Sequence, residues 1–141
     1  MKIILKRFME KRLVPVSSLK VGNFVVIDGA PCKIVEITTS APGKHGAAKA
    51  RIVGIGLIDK KKRETIRSTS DTIEAPVIKK KYGQIIMLTE DKAQIMDLET
   101  YETIEADIEE NLKGKLTEGI EVEYWELMGY YIVKRIRKER I

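Results

Sequence analysis

Two small β-barrels in tandem are the fold this chain of 141 residues predicts, an all-β class with helix only as short insertions. Three observations lead there. Apolar residues come in short runs broken by glycine, proline or Asp-Gly, without the i, i+3, i+4 spacing of long helices. Pro76, in Ala75-Pro76-Val77, resists the continuation of a central strand and marks a boundary. Charge also changes sign there. Residues 1–75 carry 15 Lys+Arg against 7 Asp+Glu, a net +8, whereas residues 76–141 carry 11 against 14, a net −3. Residues 1–75 and 76–141 are therefore expected to form separate domains.

In the first domain, Asn23-Phe24-Val25-Val26-Ile27 is an apolar run ended by Asp28-Gly29, a strong hairpin signal. Cys32-Lys33-Ile34-Val35-Glu36-Ile37 alternates and reads as its partner strand. Residues 50–58 are β-rich, and Gly54 and Gly56 within them suggest a bulge or a sharply curved strand. Asp59-Lys60-Lys61-Lys62-Arg63 is a turn, and Glu64 opens another strand. About five strands in so short a span, with no helix, give a small barrel of SH3-like layout. Met1–Phe8 is an extension, read by default as a frayed basic tail, and Met9 is a second possible start.

In the second domain the basic run Lys79-Lys80-Lys81 leads into Tyr82–Leu88. Lys92–Asp97 and Thr100–Ile104 follow, separated by turns at Glu90-Asp91 and Leu98-Glu99. Ile104, Ile108 and Leu112 lie four apart, so residues 108–113 read as a short helix, with strand as the alternative. Glu121–Glu126 and Tyr130–Ile136 close the domain. Short strands with a helical insertion before the last pair suit an OB-fold.

One decapeptide stands apart. Ser40-Ala41-Pro42-Gly43-Lys44-His45-Gly46-Ala47-Ala48-Lys49 holds the chain's single histidine and joins two strands. Pro42-Gly43 and Gly46 are turn formers, so Lys44 is expected at a loop tip, away from the body of the domain. A tip lysine between glycines is either an ordinary solvated side chain or a group that docks on a partner or enters another enzyme's active site. Lys49 and Arg51, at the base of the loop, are candidate phosphate contacts, as are Lys134, Arg135, Arg137 and Lys138 in the last strand; solvated charge is the alternative for both sets. A +8 domain suits a polyanion such as RNA, the alternative being charge that only keeps the domain soluble.

Thr38-Thr39-Ser40, Pro42-Gly43-Lys44-His45-Gly46 and Ala48-Lys49 resemble the modification loop of the translation initiation factor 5A family in its archaeal form. The likeness extends through Val14–Gly22 and Gly29–Val35 and covers roughly residues 9 to 141. It implies an SH3-like barrel followed by an OB-fold. It also implies conversion of Lys44 to hypusine or deoxyhypusine by deoxyhypusine synthase, using the aminobutyl group of spermidine, with no bound cofactor. Ser40, Pro42, Gly43, His45 and Gly46 would form the modification loop. The implied partners are the ribosome with its rRNA and the peptidyl-tRNA, in a monomer acting in the cytoplasm on peptide-bond formation, notably at consecutive prolines, and on termination. Ala41 and Ala47 depart from relatives that carry lysine and histidine there, while the Gly43–Gly46 core is intact. An RNA-binding, ribosome-associated module with Lys44 unmodified is the rival reading.

Other chemistries have little support. One histidine and one cysteine give no nucleophile–base–orienter set and no His-rich metal site. Gly43-Lys44 is not the end of a Walker A loop, because Thr38 replaces its first glycine and His45 its Ser/Thr. The lone Cys32 cannot form an internal disulfide and reads as a small buried hydrophobe. No apolar run is long enough to cross a bilayer as a helix, and Met1–Phe8 is too short for a signal peptide, so no membrane association is expected.

Overall fold

The computed structural model describes residues 11–40 and 48–137, in two compact units whose described parts run 11–77 and 78–137. The first contains β1 (Lys11–Pro15), β2 (Phe24–Ile27), β3 (Ala30–Ser40), β4 (Lys49–Gly56), β5 (Lys62–Ser68) and β6 (Thr72–Pro76). Strands β2-β3-β4-β5 make an antiparallel sheet that curls into a half-barrel, and β1 pairs with β6. Asp28 and Gly29, with φ of 50° and 77°, form the two-residue turn that pairs Ile27 with Ala30. Positive φ at both positions matches the twist of a hairpin, which is why Asp-Gly signals it. Val25, Ile27, Cys32, Ile34, Ala50, Ile52 and Ile73 pack into one core. Each fully buried isoleucine contributes about 2 kcal/mol of transfer free energy.

The bulge lies on β3 rather than on the glycine-bearing β4. Ile34 pairs with Gly54 and Glu36 with Val53, leaving Val35 as the extra, exposed residue. Gly54 is needed for close approach instead: a Cβ there would stand 2.8 Å from the Cys32 Cβ and 3.2 Å from the Ile27 Cδ1. Gly54→Ala should therefore destabilise this unit by about 1–3 kcal/mol, through overpacking against a neighbouring strand. Urea denaturation checks this; an unchanged midpoint would mean that the core yields without cost. Lys62 and Arg63, expected in a turn, begin β5, and the turn is confined to the residues before them. β1 and β6 had no clear sequence signal, and each ends at a proline, which suits a two-stranded edge ribbon.

The second unit contains β7 (Lys79–Leu88), β8 (Lys92–Asp97), β9 (Thr103–Ile108), β10 (Glu121–Leu127) and β11 (Tyr130–Ile136). They close into a barrel of order β10-β11-β9-β8-β7, antiparallel except for β11 beside β9. This five-strand closure is the OB-fold. The helical insertion is a single 3₁₀ turn, Glu110–Leu112, and Ile108 ends β9, so strand wins at that residue. Thr100–Glu102 belong to the preceding turn.

Alanines at 93 and 106 make room in the barrel for Ile85, Ile95, Val122, Tyr124 and Val133. Among the described residues two carboxylates of this barrel are buried, Glu126, ion-paired with Lys81 at 2.7 Å, and Asp97. Asp97, 4% exposed, accepts the Tyr124 hydroxyl and the backbone N–H groups of Glu99 (2.8 Å) and Thr100 (2.9 Å). Burial alone would raise its pKa, but these donors and nearby Lys81 overcome that and hold it below the usual carboxylate value. Burial and the Asp97 charge push the Tyr124 phenol far upward, so it remains a donor.

Candidate modification loop and nucleic-acid interface

Strands β3 and β4 form the stem that carries the Lys44 loop. Their register pairs Thr38 with Arg51, Thr39 with Ala50 and Ser40 with Lys49. Lys44 itself, with Pro42, Gly43, His45 and Gly46, lies outside the described residues, as does Lys138. Ser40 and Lys49 are therefore the last described rung below the loop, and both are exposed. The far side of the stem is closed by β5, which sets Ser68 opposite Lys49, and the Thr69 N–H donates to the Ala48 carbonyl at 2.8 Å. The loop thus leaves from a three-stranded platform.

Two rungs in from that platform edge, Arg51 is gripped by two carboxylates. Its Nε and Nη2 donate to Glu64 at 2.6 and 2.9 Å, and its Nη1 reaches Glu36 at 3.4 Å. Hydrogen bonding with Glu64 raises the Arg51 pKa further and lowers that of Glu64. The guanidinium ties β3, β4 and β5 together beneath the loop; a phosphate would have to displace a carboxylate to reach it. Lys49 has no carboxylate partner among the described residues, so of the two its charge is the more available.

The C-terminal cations are sorted by a bulge. Glu123 pairs with Arg135 and Tyr124 with Val133, so Lys134 is the extra residue of β11. It lies 4.5 Å from the centre of the Trp125 ring and forms an ion pair with Glu109, largely buried. Arg135 meets Glu123 at 2.9 Å but stays 61% exposed. Arg137 bonds Glu121 at 3.2 Å and stacks 4.3 Å from the Tyr82 ring. Exposed pairs of this kind are worth little and give way to a phosphate, whereas a buried one does not. The geometry therefore favours Arg135 and Arg137 over Lys134 as contacts.

Cys32 is fully buried; burial raises its pKa although the nearby Arg63 guanidinium opposes this, as expected of an inert core thiol. Among the described residues no group of three His, Cys, Asp or Glu side chains is placed to hold a metal, and no helix is long and apolar enough to span a membrane.

An SH3-like half-barrel presenting a loop on a β-hairpin stem, followed by a closed OB barrel, defines a two-module β-barrel protein. Comparison with known proteins makes the class specific. Residues 12–71 match the model described as translation initiation factor 5A-like, N-terminal, and residues 77–137 match that of the eukaryotic elongation factor 5A hypusine, DNA-binding OB fold. Translation initiation factor 5A of Thermococcus kodakarensis is 51% identical over 134 residues, covering 92% of this chain and 98% of that protein. That of Methanocaldococcus jannaschii is 52% identical over 123 residues, 87% and 92% of the two chains. Among solved structures, the eukaryotic translation initiation factor 5A from Methanococcus jannaschii superposes with a TM-score of 0.83 at 50% identity, covering 91% of this chain and 96% of its own. The chain belongs to the translation initiation factor 5A family.

Proposed function

We propose that this chain is a ribosome-binding translation factor that acts through an aminobutyl extension of Lys44. The observation that carries the reading is the sequence Gly43-Lys44-His45-Gly46, joined to a three-stranded platform of fixed register, in a chain of this family. Glycines on both sides keep bulky groups away from Lys44, as entry into a modifying enzyme's pocket requires. There the amine must lose its proton to act as a nucleophile toward the spermidine-derived aminobutyl group. The resulting arm is about twice as long as lysine and carries a second cationic amine, and it pairs with phosphates in a crowded RNA cleft beyond the reach of lysine.

The arm's task is positioning. Bound near the ribosomal exit site, the factor holds the acceptor end of the peptidyl-tRNA in a reactive pose, which lowers the entropic cost of a poorly reacting pair such as two prolines. The ribosomal RNA performs the chemistry, and the factor is not itself an enzyme. Deoxyhypusine synthase is the modifying partner, and the protein works as a cytoplasmic monomer. Its phosphate contacts are Lys49 and, in the second barrel, Arg135 and Arg137, with lesser parts for Arg51 and Lys134 and a further one for Lys138.

The test is synthesis of a peptide with consecutive prolines on purified archaeal ribosomes, with modified and unmodified protein compared. Stimulation by the modified form alone is expected. Equal stimulation by both would favour the rival RNA-binding module.

A further inference from the structure

We infer that the turn between β5 and β6 is a second contact for an RNA sugar–phosphate backbone, with Arg67 as its cation; this rests on the ribosome-binding reading above. Register places it. Successive rungs at the loop end of the sheet are Thr39–Ala50–Arg67 and Ser40–Lys49–Ser68. Lys49 and the hydroxyls of Ser40 and Ser68 share one face at the edge from which the Lys44 loop departs, and Arg67, on the other face with Ala50, flanks that edge from its second side. Ala50 is buried, but Arg67 opposite it is exposed.

The arginines of this sheet differ in what holds them. Arg51 is bonded to Glu64 and Glu36, and Arg63 to Asp59 at 2.7 and 3.0 Å. Arg67 has no carboxylate partner among the described residues, and neither has Lys49. An unpaired guanidinium presents a fork of donors that fits phosphate bidentately, and hydroxyls and backbone N–H groups commonly complete such contacts.

The hydroxyls are held in place before any ligand arrives. Ser68 Oγ and Ser70 Oγ are 2.9 Å apart, and the Ser70 N–H points to Ser68 Oγ at 3.3 Å. The turn is pinned at both ends, by the Thr69 N–H on the Ala48 carbonyl (2.8 Å) and by the Val16 N–H on the Asp71 carbonyl (3.0 Å). Asp71 is the one carboxylate of the turn, set against the two cations of the edge. A preorganised turn loses little freedom on binding. Its role is to dock the barrel on RNA so that the loop enters its cleft at a fixed angle.

Lys62 supplies the control, since it is exposed on the same strand at the other end and removes the same charge. Wild type, Arg67→Ala, Arg67→Lys and Lys62→Ala, each verified as equally modified at Lys44 and equally folded by circular dichroism, are titrated onto purified archaeal ribosomes across a potassium chloride series. Arg67→Ala is expected to weaken binding about 3- to 10-fold and to reduce the slope of log affinity against log salt by about 1, while Lys62→Ala leaves both unchanged. Arg67→Lys should recover the slope but only part of the affinity. Equal behaviour of Arg67→Ala and Lys62→Ala while the wild type binds would overturn this contact alone. A wild-type protein that does not bind ribosomes would overturn the translation-factor reading beneath it.

Discussion

Arginine in place of Lys44 is expected to leave the fold intact and to remove the stimulation of peptide-bond formation at consecutive prolines. Charge is conserved in this substitution, so a mere phosphate contact would survive it. What is lost is the primary amine, which a modifying enzyme needs as a nucleophile and which guanidinium cannot replace because it does not give up its proton. A loss of at least about tenfold in rate, corresponding to about 1.4 kcal/mol of transition-state stabilisation, is expected at proline pairs, with little change at reactive pairs. Kinetics of diprolyl and diphenylalanyl synthesis make the comparison. A variant as active as the modified wild type would show that Lys44 works only as a cation.

The largest effect on stability is expected at Asp97. Asp97→Ala strands the Tyr124 hydroxyl and the N–H groups of Glu99 and Thr100 in or near the second barrel's interior. Unsatisfied donors at a buried site make a cost of about 3 kcal/mol appropriate. Because the folded-state pKa of Asp97 is lowered, its contribution is fully present above the unfolded value of about 3.9 and is lost as pH falls through the folded value. The stability gap between wild type and Asp97→Ala should accordingly be constant near neutrality and narrow below about pH 4. Urea unfolding followed by Trp125, the single tryptophan, in β10 of the same barrel, reads both effects. A gap that widened in acid would mean that the carboxyl is protonated in the native state.

What the sequence revealed was what its neighbours in the chain decide. Asp28-Gly29 announces a hairpin because the turn's demand for positive φ is local. The Gly43-Lys44-His45-Gly46 motif is likewise local in the chain, but it lies outside the described residues and its role rests on the proposal above. Partners brought in by long-range pairing were hidden. β1 and β6 pair across some sixty residues; β1 lacks the alternation of a strand with a solvated face, and the alternation of β6, Thr72-Ile73-Glu74-Ala75, is only four residues long before Pro76. Arg51 reads as a free cation until register sets Glu36 and Glu64 beside it.

The last strand shows the same limit. Lys134-Arg135-Ile136-Arg137 reads as one basic edge, but a bulge turns Lys134 onto Trp125 and Glu109 while Arg135 stays in solvent. A bulge has no strong residue signature, and on β3 it fell at Val35 rather than near the glycines of its partner. Arg67 was missed for a related reason. Its place beside the loop follows from the tight β4–β5 hairpin, which carries Ser68 back to face Lys49.

The most direct test of the central claim is peptide mass spectrometry of the segment spanning Ser40 to Lys49, on protein purified from its natural source. The account predicts an aminobutyl group on Lys44, with or without a hydroxyl, in most molecules. Lys44 found unmodified throughout would contradict it and leave a protein that meets RNA with an ordinary lysine.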